Sequence, residues 1–183
     1  MLTVFALLVV AAGPSGILYN VDPAQSQLQY RVVHKLHEVD AVTHAVEAKA
    51  LLAADGTVQV MARAAVASFK SGAANRDEHM LEVTEAGTYP YITFKAAGHV
   101  DIPTATPATF NTVLEGELEF HGVRQRERVP LTIALASDGS VHVTSAFQVS
   151  LDKYKVERPS LLFVKVDDAC AVTVDLLLKR VQP

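Results

Sequence analysis

Apolar and polar residues alternate along most of this chain, and this pattern limits the fold more than any other feature. Alternation with a period of two places one face of a β-strand on a core and the other face in water. Two clear runs of inward-facing positions are Leu28, Tyr30, Val32, His34 and Leu114, Gly116, Leu118, Phe120. Similar runs recur from residue 19 to residue 179, so we predict an all-β chain of about eight strands.

Short turns between these runs indicate antiparallel pairing. Asp55 with Gly56 and Asp138 with Gly139 are strong two-residue hairpin signals. An antiparallel sheet of about eight strands exposes two unpaired edges unless it closes on itself. We therefore predict a single closed antiparallel barrel, whose interior is either filled by side chains or wide enough for one small ligand.

A helical segment interrupts the strands near residues 74–86. Met80, Leu81 and Val83 give it one apolar side, and Asn75 or Asp77 is expected to cap its first turn. Gly87 is expected to end it. A single short helix cannot form a core of its own, so we predict that it caps the barrel.

Small residues at inward positions indicate an unfilled interior. They are Ala62, Ala64, Ala96, Gly116 and Ser145, and the chain contains no tryptophan. Unfilled apolar volume is costly unless something occupies it, which favours a hydrophobic tunnel that holds a ligand. The alternative is a solid barrel that acts through its surface, with large residues at these positions.

Four motifs, in order along the chain, resemble one known family. They are Tyr19, Asp22, Pro23, Ser26 and His34; Arg76, Asp77, His79 and Met80 with Tyr89, Pro90, Ile92 and Phe94; Gly116, Leu118, His121, Gly122 and Val123; and residues 147–150 with the strand at 172–178. This set resembles the YceI-like family of bacterial polyisoprenoid-binding proteins, over roughly residues 19–180.

The resemblance implies an elongated lipocalin-like barrel whose bore holds a long-chain isoprenoid, a quinone-like lipid or a similar fatty amphiphile. It implies a carrier or storage protein that performs no chemistry. Our candidates for the wall of the bore are Leu28, Tyr30, Val32, Met80, Phe94, Leu118, Phe120, Val143 and Phe147. For its mouth we select Arg76, His79 and Tyr154. Arg76 could pair with a polar head group or, equally, form a salt bridge with Asp77 or Glu82.

Residues 2–12 form an apolar run followed by small residues. The run is shorter than the roughly 20 residues that span a bilayer, and it fits a secretory signal peptide over residues 1–16, with the barrel domain at 17–183. The alternative is an apolar N-terminal strand or tail. The resemblance also favours export, so we expect a periplasmic or secreted protein.

Composition argues against several other functions. The formal net charge is −4 and the isoelectric point is near 5.9, with scattered cations, so no nucleic acid partner is expected. Cys170 lies among apolar residues and is interpreted as an inert buried thiol.

The sequence is compatible with two further partners. One is a second copy of the chain, in a homodimer through strand edges or the cap, and the other is a membrane in transient contact.

No catalytic constellation stands out in the sequence. Ser150 and Lys153 match S-x-x-K without its companion motifs, and neither His34 with His37 nor Asp77 with His79 completes a metal site. His121 is interpreted as bracing the backbone. We therefore expect no enzyme activity, no metal and no cofactor apart from a bound lipid. The main rival is an enzyme in which His79 and Arg76 act on a polar head group.

Overall fold

The computed structural model describes residues 16–34, 37–158, 160–161 and 164–181. These residues form twelve β-strands and one α-helix, α1 (Ala74–Val83). The strands are β1 (Gly16–Val21), β2 (Gln27–His34), β3 (His37–Thr43), β4 (Val46–Ala53), β5 (Thr57–Ala65), β6 (Tyr91–His99), β7 (Ala108–Phe120), β8 (Val123–Leu135), β9 (Val141–Ser150), β10 (Ser160–Leu161), β11 (Val164–Lys165) and β12 (Ala169–Arg180). The apolar run of the predicted signal peptide lies outside the described residues.

Ten of these strands form one antiparallel sheet in the order β1, β4, β5, β6, β7, β8, β9, β12, β2, β3. The sheet closes because β12 also pairs with β1, through Tyr19 opposite Arg180 and Val21 opposite Leu178. β1 and β2 both lie on the same edge of β12, and β4 and β3 lie beyond them. Counting β1 with β2, and β3 with β4, as two interrupted strands gives the predicted closed eight-stranded antiparallel barrel, which is confirmed.

The two interruptions lie side by side and have a common cause. The Asp22 carboxylate accepts a hydrogen bond from the Ala24 N–H at 3.1 Å, which stabilises a 3-10 turn between β1 and β2. Ser26 Oγ then accepts the Leu177 N–H of β12 at 2.9 Å. His44 Nδ1 lies 2.8 Å from the Ser26 carbonyl oxygen, so the break between β3 and β4 is held against the break between β1 and β2.

Helix α1 forms inside the predicted segment, but its two ends differ from the prediction. Its N-cap is Ala73, whose side chain has no hydrogen-bond acceptor. The Asp77 carboxylate does not cap the helix, because it accepts hydrogen bonds from the Ser71 N–H at 2.9 Å and from the Ser71 hydroxyl at 2.6 Å. At the other end Glu85 adopts a left-handed φ of 46°, and the Ala86 N–H donates to the Leu81 carbonyl at 2.9 Å. The expected caps at Asn75 or Asp77 and the expected stop at Gly87 are therefore wrong.

No helix in the described part of the chain has both the length and the apolar character needed to cross a membrane.

The sheet opens between β8 and β9. These strands pair only where Thr132 to Leu135 face residues 141–144. Beyond that point the Ser145 hydroxyl donates to the Pro130 carbonyl at 2.5 Å, and the turn that follows β9 fills the gap. Pro130 has no N–H to offer a neighbouring strand, which is consistent with the end of backbone pairing here.

The small inward residues have different roles in the structure. Ala62 and Ala64 line an internal cavity, as the sequence predicts. Ala96 instead packs against a core cluster that contains Val58. Ser145 is buried, and its hydroxyl is hydrogen-bonded to the Pro130 carbonyl. The space above Gly116 is occupied, because a Cβ built there would lie 2.5 Å from the Phe94 ring and 2.6 Å from the Lys95 carbonyl oxygen.

We expect Gly116→Ala to lower the free energy of unfolding by about 1–3 kcal/mol, since both the Phe94 ring and a β6 carbonyl would have to move. Urea denaturation measures this change. Gly87→Ala is the matched control, because a Cβ there meets nothing within 4 Å. Equal unfolding midpoints for the two variants would contradict the close packing of Phe94 on Gly116.

Candidate functional site

The barrel encloses a cavity of about 700 Å³ that is lined predominantly by aliphatic and aromatic side chains. Along β12, every second residue from Cys170 to Leu178 contributes to its wall. Eight residue steps of about 3.3 Å make this wall roughly 26 Å long, or roughly 20 Å along the axis of a barrel whose strands tilt by about 35–45°. The mean cross-section is then only about 35 Å². The cavity is thus long and narrow.

All of the predicted wall residues line this cavity: Leu28, Tyr30, Val32, Met80, Phe94, Leu118, Phe120, Val143 and Phe147. The prediction omitted the whole β12 wall, namely Cys170, Val172, Val174, Leu176 and Leu178. Their strict alternation is visible in the sequence and could have identified them.

Helix α1 covers one end of the cavity. Met80, Val83 and Thr84 contribute to the lining there, and Met80 also packs beside a cluster that contains Phe69. The Thr84 hydroxyl donates to the Met80 carbonyl at 2.6 Å, which satisfies this buried polar group at the end of the helix.

Arg76 and His79, two of the predicted mouth residues, also contribute to the lining at this end, although both are exposed. Arg76 Nη2 donates to the Ser71 carbonyl at 3.2 Å, and His79 Nδ1 lies 3.3 Å from the Glu82 carboxylate. The alternative salt bridge, from Arg76 to Asp77 or Glu82, does not form in the structure. Asp77 binds Ser71 instead, and Glu82 lies beside His79.

Three further polar residues line the cavity at the α1 end, and the prediction did not select them. His34 ends β2 and His37 begins β3, with ring centroids 5.5 Å apart, while Glu157 belongs to the segment after β9. The only sequence signal for these positions is that His34 continues the inward face of its strand.

Tyr154 lies elsewhere, which corrects its predicted place at the mouth. Its side chain is fully buried in a cluster that contains Leu118 and Val149. Its hydroxyl donates to the Glu127 carboxylate at 3.0 Å, and burial followed by this carboxylate raises the pKa of Tyr154 above its usual range. Tyr154 therefore anchors the turn that fills the gap between β8 and β9.

His121 supports the same turn. Its Nδ1 lies 3.0 Å from the Tyr154 carbonyl oxygen, and Gln125 Nε2 donates to the Lys153 carbonyl at 3.4 Å. Backbone bracing, the predicted role of His121, is what the structure shows. Gln125 and Glu127 occupy inward positions of β8, where the alternation would place apolar residues. These two polar side chains are the sequence signal for the buried turn.

The residues considered for catalysis are engaged in structural contacts. Ser150 Oγ accepts the Lys153 N–H at 3.2 Å within the turn after β9. Among the residues that the structure describes, no three His, Cys, Asp or Glu side chains are grouped so that they could hold a metal ion.

Two titratable side chains of the cavity wall are held neutral. Burial raises the pKa of the Cys170 thiol to about 12. Burial likewise raises the pKa of Tyr30 to about 12, with smaller contributions from Cys170 and Asp77, which raise it, and from the positive charge of Arg76, which lowers it. Both side chains therefore remain protonated at neutral pH, which fits the predicted inert state of Cys170.

These features define a class of protein, a closed antiparallel barrel with a helix over one end of a long apolar cavity. The model of the YceI-like domain matches residues 19–178, so the chain belongs to the YceI-like family. No curated protein matches the chain significantly.

Solved structures with the same fold include two close in length. A polyisoprenoid binding domain from Saccharophagus degradans, implicated in plant cell wall breakdown, is 18% identical with a TM-score of 0.72, covering 89% of this chain and 98% of that one. BcnA from Burkholderia cenocepacia is 20% identical with a TM-score of 0.70, covering 86% and 98%. The Campylobacter jejuni YCEI protein is 14% identical with a TM-score of 0.54, covering 100% and 92%.

We predict that the Cys170 thiol makes stability depend on alkaline pH. The pKa of the thiol is 9.0 when unperturbed and about 12 in the folded protein. Between these values the unfolded chain ionises while the folded protein does not, so the contribution of the thiol to the free energy of unfolding is fully present below pH 9 and is lost as the pH rises from 9 to 12. The loss is at most about 1.4 kcal/mol per pH unit. Urea unfolding at pH 8 and pH 10 should show a smaller decline for Cys170→Ala than for the reduced wild type. Parallel declines would mean that the folded thiol titrates as it does in the unfolded chain.

Proposed function

We propose that this protein binds a long-chain isoprenoid or a similar amphiphilic lipid in its barrel and acts as a carrier or storage protein that leaves the lipid unchanged. The observation that carries the proposal is the shape and chemistry of the cavity, which is about 700 Å³ in volume, long, narrow and apolar. Its volume falls within the range of about 300–1,000 Å³ that is common for sites of small ligands.

The length of the cavity favours a chain over a compact ligand. A bore that averages about 35 Å² across admits a single hydrocarbon chain along its axis. Each methylene group that leaves water contributes about 0.8 kcal/mol, so affinity grows with the number of groups the bore can cover. The polyisoprenoid binding domain from Saccharophagus degradans, which has the same fold, supports this choice of ligand class.

The distribution of polar residues favours one orientation of the lipid. Arg76, His79, His34, His37 and Glu157 all lie at the end of the cavity covered by α1. We propose that the polar end of the lipid lies here and that its tail extends toward Leu178 and Val141 at the opposite end.

We also propose that the protein is exported to the periplasm or secreted, on the strength of the apolar run at residues 2–12 and the small residues after it. A lipid of this kind resides in membranes, so loading the cavity requires a transient contact with a membrane surface.

We also propose a homodimer through the outer edge of β3. On that edge β3 contacts the rest of the protein through an isolated bridge between Val42 and Lys70.

Native mass spectrometry of protein purified without detergent tests the proposal directly. We expect an adduct that is released by organic extraction, identified as a long-chain isoprenoid, quinone or fatty amphiphile, and recovered with unchanged mass after incubation with the protein. An apo mass that does not change when polyprenyl lipids are added would contradict binding. A time-dependent change in the mass of the lipid would support the rival enzyme.

A substitution that fills the cavity should block binding. Ala62 lines the cavity, so we expect Ala62→Trp to weaken retention of an added polyprenyl lipid by at least about tenfold. A tenfold loss corresponds to about 1.4 kcal/mol, and two displaced methylene groups at about 0.8 kcal/mol each already exceed it. Binding is measured by native mass spectrometry and by competition with a fluorescent apolar probe.

Met61→Trp is the matched control. Met61 is the preceding residue of β5 and is 47% exposed on the outer face of the barrel. This variant should bind as the wild type does. Equal retention by both variants would show that the lipid is held outside the bore.

A further inference from the structure

Three side chains that carry a hydroxyl line the cavity: Tyr19, Tyr30 and Thr84. The Thr84 hydroxyl donates to the Met80 carbonyl at 2.6 Å. The hydroxyls of Tyr19 and Tyr30 have no hydrogen-bond partner among the described residues, and of the two only Tyr30 lies at the end of the cavity that α1 covers, beside Met80.

The Tyr30 ring is held firmly in place by its surroundings. It lies 5.4 Å from the Phe69 ring, between centroids, and packs in the cluster of Ala41, Ala64 and Phe69 beside Met80. Its backbone lies between β12 and β3, opposite Val172 and Ala41. The hydroxyl therefore has a fixed position on the wall, beneath α1 and close to the thiol of Cys170.

The chemistry of this position favours a neutral acceptor. The phenol remains protonated near neutral pH and is therefore a hydrogen-bond donor. The negative charge of Asp77 and the positive charge of Arg76 both act on the phenol, in opposite directions. A carboxylate or phosphate would lose its hydration among the apolar walls, which disfavours a charged acceptor. An alcohol would bring a second hydroxyl proton that needs its own acceptor, whereas a carbonyl oxygen only accepts.

We propose that Tyr30 donates a hydrogen bond to an uncharged carbonyl oxygen of the ligand, just inside the end of the cavity that α1 covers. The cavity then selects carbonyl-bearing amphiphiles, such as ketones, quinones, amides or esters, over hydrocarbon chains of the same shape. This inference rests on the proposed function, because it requires a chain-like ligand in the bore.

The selectivity follows from the cost of an unpaired donor. A hydrocarbon that covers the Tyr30 hydroxyl removes it from water and offers nothing in return, whereas a carbonyl replaces the lost hydrogen bond. We expect the wild type to prefer a ketone to its matched hydrocarbon by roughly 5- to 30-fold.

The test compares farnesylacetone with the hydrocarbon in which a methylene group replaces its carbonyl. Each competes with N-phenylnaphthylamine for delipidated full-length protein, and fluorescence gives the affinity. In Tyr30→Phe the ketone should lose its roughly 5- to 30-fold advantage while the hydrocarbon binds as tightly as before or more tightly. Tyr91→Phe is the matched control, because Tyr91 is 44% exposed on the outer face of β6 and does not line the cavity, and this variant should keep the preference.

Infrared spectroscopy of the bound ketone gives a second readout that does not depend on affinity. The carbonyl stretch should lie at lower frequency in the wild type and in Tyr91→Phe than in Tyr30→Phe, because a hydrogen bond weakens the C=O bond. Thermal unfolding of each variant shows that the comparison is made between folded proteins.

The outcomes separate this inference from the proposed function. Equal affinities for the two probes in the wild type, or a preference that survives in Tyr30→Phe, would overturn the role of Tyr30 while leaving lipid binding intact. Binding of neither probe would overturn the proposed function, and the inference with it. A carbonyl stretch that is the same in the wild type and in Tyr30→Phe would also overturn the role of Tyr30, without bearing on lipid binding.

Discussion

The cavity depends on the hydrogen bonds that β12 makes along both of its edges. One edge pairs with β9 over ten residue pairs, from Ala169 to Leu178, and the other pairs with β2 and then β1. The contact between Ser26 Oγ and the Leu177 N–H joins residues 151 positions apart. Because these pairings connect the two ends of the chain, the bore is closed only once β12 has docked, and no local segment forms it alone.

The barrel departs from a regular cylinder at two places, and each is stabilised by polar contacts away from the bore. The interruptions of the first two strands are held by Ser26, and the gap between β8 and β9 is filled by the Tyr154 turn. The hydroxyls of Ser26 and Tyr154 both have protein partners, so they stabilise the wall without offering a site to a ligand. Glu127 is one such partner, since its inward carboxylate accepts a hydrogen bond from the Tyr154 hydroxyl.

The period of two in the sequence was enough to predict the barrel and part of its wall, because alternation directly determines which side chains point inward. It did not predict contacts between distant segments. Tyr154 could be placed only by knowing that β8 and β9 separate. The end of α1 at Val83, followed by the left-handed Glu85, depends on backbone bonds that a glycine signal does not show. Asp77 likewise binds Ser71 because the preceding loop folds back onto the helix.

Affinity and selectivity have different sources in such a cavity. Aliphatic walls stabilise any chain that fits, in proportion to the area covered, so they discriminate by length and girth. Arg76 and His79 are exposed, so on the proposed mode of binding they remain hydrated with any ligand and contribute little to selectivity, as exposed polar groups generally do. Tyr30 lies deeper in the wall, where a ligand would either pair its hydroxyl or leave it without a partner. If the proposed ligand occupies the bore, the more buried polar group, rather than the exposed side chains, sets its chemical preference.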